Sequence, residues 1–298
     1  MTERVAGFRA HEFAEHRLQS QIVAETFTVR VLMPVSRSDG SERFSVLYTT
    51  DSDFFFGGYE SIARELQALG ETPRFILVGI GYENSGAVEL LRWRDFATHG
   101  MREPRRDIVH KLAQSPLINR PDLLHAVLNT TDATQFLQFI TDELMPFINA
   151  QYPTLPDEND YYGYSAGGLF GLYALFTKPH TFKRYIIGSP GTSFRGRDFA
   201  IELIQEFIRS KQTINAKVFL SVGEFEEFHA DHDPYELVTS YYRLTKFLRR
   251  SAIPGLDLKN QVFPGETHAT AWTLALIHGL KTLLGPAASV PFWPSLSN

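Results

Sequence analysis

The run Tyr161-Tyr162-Gly163-Tyr164-Ser165-Ala166-Gly167-Gly168 has the form G-x-S-x-G. Such a run reads as a strand that turns sharply into a helix and lifts one serine hydroxyl above the edge of a sheet. Glycines flank the serine because the turn leaves no room for Cβ atoms beside it. The motif alone is weak, since a Gly-rich loop entering a helix carries the same letters. Its flanks strengthen it. Asp160-Tyr161-Tyr162 supplies aromatics suited to a strand. Ala166 to Phe176 is largely apolar, long enough for a buried helix, and stops at Lys178-Pro179. Strand, turn and helix are the context the motif requires, and they make Ser165 the candidate nucleophile.

Outward from that turn, strands alternate with helices. Residues 16 to 34 read as two strands, the second alternating through Thr26 to Met33 and ending at Pro34. Phe44 to Thr49 is a buried strand that leads into Thr50-Asp51-Ser52-Asp53, and Gly58 to Leu69 reads as an amphipathic helix closed by Gly70. Arg74 to Ile80 is a strongly buried strand. Pro121 to about Ala150 has helical spacing, with Thr130-Thr131-Asp132 as a possible new start. Beyond the serine, strands are expected at 185–190, 217–223 and 256–263, with helices at 197–210, 234–250 and 269–284. The alternation indicates a mostly parallel sheet with an antiparallel start and helices on both faces, in one domain spanning 1–298. Residues 82 to 120 break the pattern. They carry few regular signals and six arginines, Arg92, Arg94, Arg102, Arg105, Arg106 and Arg120. They read as either a solvated insertion or a lid whose guanidinium groups meet an anionic or polyphenolic substrate.

Composition narrows the function classes. An apolar fraction of 43% suffices for a packed core, and a net charge of -5 carries no global signature of nucleic-acid binding. The absence of cysteine excludes disulfides, cysteine catalysis and thiolate metal sites. Met1 to Phe8 lacks the apolar core of a signal peptide, and no apolar run reaches the ~18 residues of a membrane span. The expectation is a soluble cytoplasmic enzyme with no nucleic-acid or membrane partner. Oligomeric state is not legible.

A serine hydroxyl needs a base, and imidazole is suited because it titrates near neutrality. Of ten histidines, only His268, in Gly265-Glu266-Thr267-His268-Ala269, lies on a loop directly after the last expected strand. It follows Ser165 by 103 residues, enough for the intervening strand–helix units. His278 falls inside the last helix and reads as structural. Folds with this serine turn place serine, acid and histidine in that chain order at one sheet edge. The acid is therefore sought after the strand ending at Gly223, among Glu224, Glu226, Glu227, Asp231 and Asp233. Glu226 is favoured because a short turn would bring it toward His268; Glu224 and Glu227 stay open. The cluster His229-Ala230-Asp231-His232-Asp233 is too contiguous for a structural zinc site and reads as a polar loop, so no metal is expected. An oxyanion hole would use the backbone N–H of Ala166 and one from the Asp51-Ser52-Asp53 loop, with Ser52 preferred.

With these residues in place, the chain resembles the esterase D-like branch of the α/β-hydrolases, nearest to the enterobactin/bacillibactin (trilactone siderophore) esterases, over about residues 16 to 284. Carrying segments are Val46-Leu47-Tyr48-Thr49-Thr50-Asp51-Ser52-Asp53, Val78-Gly79-Ile80-Gly81-Tyr82 with Arg94-Asp95-Phe96, Phe139 to Ile148, Gly223-Glu224-Phe225-Glu226, and Gly265 to Ala269 with Trp272. The resemblance implies an α/β-hydrolase fold, Glu226 as triad acid, substrate contacts at Arg94, Tyr164 and Trp272, and no cofactor. Ser52 stands where the family usually has Gly. Ser189-Pro190-Gly191-Thr192-Ser193-Phe194 lacks the tryptophans of the family's Ser-Pro-Ser segment, which reshapes a pocket wall.

The function expected is serine-dependent hydrolysis of a small-molecule carboxylic ester through an acyl-enzyme, on a siderophore trilactone or other acyl esters. The alternatives are acyl transfer, as in other branches of the superfamily, and a catalytically silent binding protein on the same fold.

Overall fold

A computed structural model describes residues 13–34, 41–98, 110, 133–228 and 233–286. Among the described residues the strands are β1 (Ala14–Gln19), β2 (Thr26–Leu32), β3 (Phe44–Thr49), β4 (Phe75–Tyr82), β5 (Thr154–Tyr164), β6 (Arg184–Gly188), β7 (Ala216–Gly223) and β8 (Leu256–Phe263). They form one sheet in the order β1-β2-β4-β3-β5-β6-β7-β8. The pairs β1–β2 and β2–β4 are antiparallel, and every other neighbouring pair is parallel. The carboxyl ends of β3, β5, β6, β7 and β8 therefore open onto one edge.

The described helices are α1 (Ser52–Ala68), α2 (Val88–Phe96), α3 (Ala133–Phe139), α4 (Met145–Gln151), α5 (Ala166–Thr177), α6 (Phe199–Ser210), α7 (Leu237–Ser251) and α8 (Ala271–Leu284). Successive strand residues point to opposite faces, so each strand feeds two cores. Leu47, Leu77, Tyr162 and Phe219 pack against Phe56 and Tyr59 of α1 and Leu276 of α8. Val46, Val78, Tyr161 and Leu220 face the other way, against Leu90 of α2, Phe170 of α5 and Tyr241 of α7. Among the described residues no helix is long and apolar enough to cross a membrane.

Three elements differ from expectation. Helix α1 begins at Ser52 rather than Gly58. Phe54-Phe55-Phe56-Gly57-Gly58 is a poor helical run by propensity, but tertiary packing overrides it: Phe56 is buried against Gly79 of β4, where a Cβ would collide with its ring. Asp51-Ser52-Asp53 is thus a helix start, not a loop. Second, α2 lies in the stretch expected to lack regular structure. Residues 99–109 and 111–132, with Arg102, Arg105, Arg106 and Arg120, lie outside the described residues, as does much of the helix expected from Pro121. Third, β5 starts at Thr154, well before Asp160. A register shift between Phe44 and Val46 absorbs the polar run around Pro156.

Between α3 and α4 the chain makes a π turn over Ile140–Leu144, where the Met145 N–H reaches back to the Ile140 carbonyl. Pro146 follows. It has no N–H to give and its ring would crowd a normal helical carbonyl, so the wider turn lets one helical path continue through it.

Candidate active site

Ser165 follows β5 directly, with φ 56° and ψ -119°, a conformation a residue with a side chain adopts only under constraint. Both sides hold it: its N–H donates to the Gly188 carbonyl (2.9 Å), and its own carbonyl accepts from Leu169 N–H (3.0 Å). The glycines are steric necessities. A Cβ on Gly163 would overlap the Gly167 carbonyl, and one on Gly167 would overlap the Thr50 hydroxyl. Ala166 opens α5, so its N–H is among the first-turn amides without an intrahelical partner.

His268 sits between β8 and α8, 2.6 Å from the carboxylate of Glu226 through Nδ1 and Oε2. Glu226 lies in a short turn after β7 and is 1% exposed. Its other oxygen accepts from Gly223 N–H (2.6 Å) and the Ser189 hydroxyl (2.5 Å). With both oxygens engaged, the carboxylate has one orientation. The Tyr164 hydroxyl donates to the His268 carbonyl (2.9 Å) and lies 3.4 Å from Glu226 Oε1. Its ring lies beside the imidazole, centroids 4.9 Å apart. Burial pushes the Tyr164 phenol well up, so it remains a donor.

The other acids face elsewhere. Glu224 accepts from Gly265 N–H (2.8 Å), and Glu227 caps the start of α7 through Thr239. Asp231, His229 and His232 lie outside the described residues. His278 is on α8 with its ring against Phe263. Among the described residues no group of three or more His, Cys, Asp or Glu could hold a metal ion.

Ser165 and His268 share a cleft of about 490 Å³ with Phe54, Phe55, Glu89, Arg92, Tyr164, Ala269 and Trp272. Trp272 is wedged over α1 at Gly58 and beside Phe55, forming an apolar wall. Among the described residues the arginine on the cleft is Arg92, not Arg94. The two are two residues apart on α2, about 200° around the helix, and so point to opposite sides. Arg94 turns to the sheet side, where it grips Asp95 (2.7 and 2.9 Å) and Glu25 (3.3 Å), with Tyr82 donating to the same Asp95. The Ser52 side chain does not line the cleft. It is buried, and its hydroxyl accepts from Arg30 (3.0 Å). Any part it plays at the serine is through its backbone N–H in the first turn of α1.

Sequence reasoning named Arg92 only as one of the six arginines of the insertion and did not single it out, because it missed α2. The signal available was the Glu89…Arg92 spacing of three with Val88, Leu91 and Phe96 as an apolar side. Ser189 and Asp51 had no such signal, since their roles depend on contacts between distant strands.

The site can therefore bring a constrained serine, an imidazole and a buried carboxylate to one sheet edge beside a mixed apolar and charged pocket. Residues 20–283 match the family model "Putative esterase". The chain belongs to this esterase family. It is 28% identical to the ferri-bacillibactin esterase BesA of Bacillus subtilis, over 82% of this chain and 80% of that one. It is 28% identical to the siderophore triacetylfusarinine C esterase of Aspergillus fumigatus, over 86% of this chain and 88% of that one. Among solved structures, the BES protein from Bacillus cereus superposes with TM-score 0.73 at 22% identity, covering 94% of this chain and 97% of that one. The fold is that of the α/β-hydrolases, and the esterase is a carboxylic ester hydrolase.

Proposed function

We propose that the esterase works through a serine nucleophile and an acyl-enzyme, and that it hydrolyses a siderophore ester of the trilactone type. The mechanism is carried by one conjunction: Ser165 at φ 56° shares a cleft with His268, whose Nδ1 lies 2.6 Å from the buried carboxylate of Glu226. With Nδ1 committed to Glu226, Nε2 is the nitrogen that takes the Ser165 proton as the hydroxyl oxygen attacks the ester carbonyl. Glu226 stabilises the imidazolium so formed. Negative charge on the former carbonyl oxygen is met by the Ala166 N–H and a backbone amide of the opening turn of α1, Ser52 in our reading. The imidazolium then protonates the departing alcohol. Water, activated by the same imidazole, attacks the acyl-enzyme and releases the acid.

The substrate reading is supported by the two relatives, whose names are those of siderophore esterases. It is also supported by the cleft, where Phe54, Phe55 and Trp272 offer an aromatic wall for an acyl group beside Tyr164. We further propose a cytoplasmic location, which cell fractionation tests.

The decisive experiment is fluorophosphonate labelling alongside an ester panel. Wild type should label, Ser165→Ala should not, and a catechol-serine trilactone should turn over faster than p-nitrophenyl butyrate. Comparable or slower trilactone turnover removes the siderophore assignment. A folded wild type that resists labelling removes the serine mechanism. Adding an alcohol acceptor to the panel detects acyl transfer.

A further inference from the structure

We infer that Arg92 is a positioning residue for this reaction: its guanidinium clamps Asp51 and thereby fixes the opening turn of α1 against the serine turn. The inference rests on the serine mechanism proposed above. Strands β3 and β5 are parallel neighbours, with Thr49 paired to Tyr162. Each runs almost directly into a helix, α1 at Ser52 and α5 at Ala166. Two sets of first-turn amides, which lack intrahelical partners, therefore lie side by side at the edge that carries Ser165.

Asp51 is the hinge of the first set. It has φ 60° and ψ 30°, left-handed backbone, and its carbonyl closes the first turn by accepting from Phe54 N–H (3.1 Å) and Phe55 N–H (3.2 Å). Its side chain is turned toward α5: a Cβ on Gly167 would lie 3.1 Å from Asp51 Oδ2. Arg92 takes both carboxylate oxygens, Nε to Oδ1 at 2.5 Å and Nη2 to Oδ2 at 3.2 Å. This is the fork geometry that fixes orientation as well as distance.

Arg92 is itself braced. It donates to Glu89 (3.0 Å), and its guanidinium carbon lies 5.6 Å and 5.8 Å from the rings of Phe54 and Phe96. Burial pushes the Asp51 carboxyl up and Arg92 opposes that push, so the two groups depend on each other. On its far side the same turn is tied to the sheet by Arg30 on the Ser52 hydroxyl (3.0 Å) and Tyr82 N–H on Asp53 (2.8 Å). Arg92 supplies the brace on the cleft side. Removing it frees the left-handed turn, and the second oxyanion donor moves relative to Ala166. That loss falls on the transition state and leaves ground-state binding of a small neutral ester intact.

The test is steady-state kinetics on p-nitrophenyl acetate with Arg92→Lys, Arg92→Met and Asp51→Asn, together with fluorophosphonate labelling rates. Arg92→Lys keeps the charge and loses the fork. Both Arg92 variants should lose about 10- to 100-fold in kcat, with KM changed less than about twofold, and should label more slowly by the same factor. Asp51→Asn keeps one acceptor and tolerates left-handed backbone, so its loss should be smaller. Should Arg92→Met fail to fold by circular dichroism, the other two carry the comparison. A raised KM at unchanged kcat would make Arg92 a substrate-binding group and overturn the inference. Wild-type kcat in Arg92→Lys would overturn it too. Wild type that does not label at all defeats the serine mechanism instead, a distinct outcome.

Discussion

Replacing Glu226 by glutamine tests the site where its geometry is tightest. The amide has one acceptor oxygen and one donor nitrogen where the carboxylate has two acceptors. The Oε1 position is met by Gly223 N–H at 2.6 Å and the Ser189 hydroxyl at 2.5 Å. The serine could rotate its proton away, but the backbone N–H cannot, so the amide oxygen must stay there. The NH2 then falls at the Oε2 position, 2.6 Å from His268 Nδ1. Two donors cannot face each other. Nδ1 must become the acceptor, and the ring carries its proton on Nε2, where it can no longer take one from Ser165. A general base contributes about 10²–10⁴-fold, and a wrong tautomer with the imidazolium partner removed costs toward the upper end. At about 1.4 kcal/mol per decade, a loss of roughly 10³–10⁴ in kcat corresponds to about 4–5.5 kcal/mol. Glu226→Ala imposes no tautomer and should be no worse than the glutamine. The assay is kcat on p-nitrophenyl acetate, with circular dichroism to show that both variants fold. A glutamine variant within tenfold of wild type would refute the reasoning, and one clearly better than alanine would refute the tautomer argument in particular.

Tyr164→Phe removes the donor to the His268 carbonyl and should lower kcat about tenfold while leaving the melting temperature within a few degrees, read by kinetics and thermal denaturation; an unchanged kcat would limit Tyr164 to packing. Gly58→Ala drives a methyl into Trp272, so KM for bulky aryl esters should rise several-fold relative to the acetyl ester, with a shift in tryptophan fluorescence; an unaltered ratio would mean Trp272 does not set the width of the cleft. Burial pushes Asp160 up to about 7 against an ordinary 3.8, despite Arg184 at 2.7 Å. Between these values the folded state binds more protons than the unfolded, so Asp160's contribution to stability is greatest below the lower value and declines as pH rises to the upper. The stability of wild type minus that of Asp160→Asn should therefore fall as the pH is raised from about 4 to about 8 in urea titrations; a flat difference would contradict the shift.

Much of this was readable from the chain because local signals and tertiary demands agree. The strands β4, β7 and β8 are continuous apolar or alternating runs bounded by turn residues, and the serine turn carries glycines whose reason is steric. His268 stood out by position alone. Where local and tertiary preferences disagree, the reading failed. Phe54 to Gly58 is helical only because Phe56 finds a seat on Gly79. Asn159 and Asp160 are strand because β3 pairs with both and β6 joins at Asp160, while Asp157 and Glu158 fall in the register shift, and Arg184 answers Glu158 and Asp160. Arg94 was preferred over Arg92 because the family resemblance ran through Arg94-Asp95-Phe96, and without α2 nothing showed that the two arginines point in different directions.

Backbone strain singles out the sheet edge at which the proposed chemistry sits. Among the described residues eight without glycine's freedom have positive φ. Lys211 and Ala252 are helix C-caps, where left-handed backbone is routine. Asp51, Ser165 and Ser189 are different: each lies within two residues of the end of a parallel strand, β3, β5 and β6, which are neighbours in the sheet. Each such residue costs on the order of 1–3 kcal/mol and persists only if its surroundings over-determine it. Asp51 is over-determined by Arg92, Ser165 by Gly188 and α5, and Ser189 by the Ser221 carbonyl and Glu226. The three strained residues supply, in turn, the helix start opposite the serine, the serine itself, and the donor that orients the histidine's carboxylate. Ser165→Gly should thus be the more stable protein by roughly 1 kcal/mol or more and wholly inactive. A melting temperature at or below that of wild type would mean that the turn is not strained and that the sheet edge holds the serine at no cost.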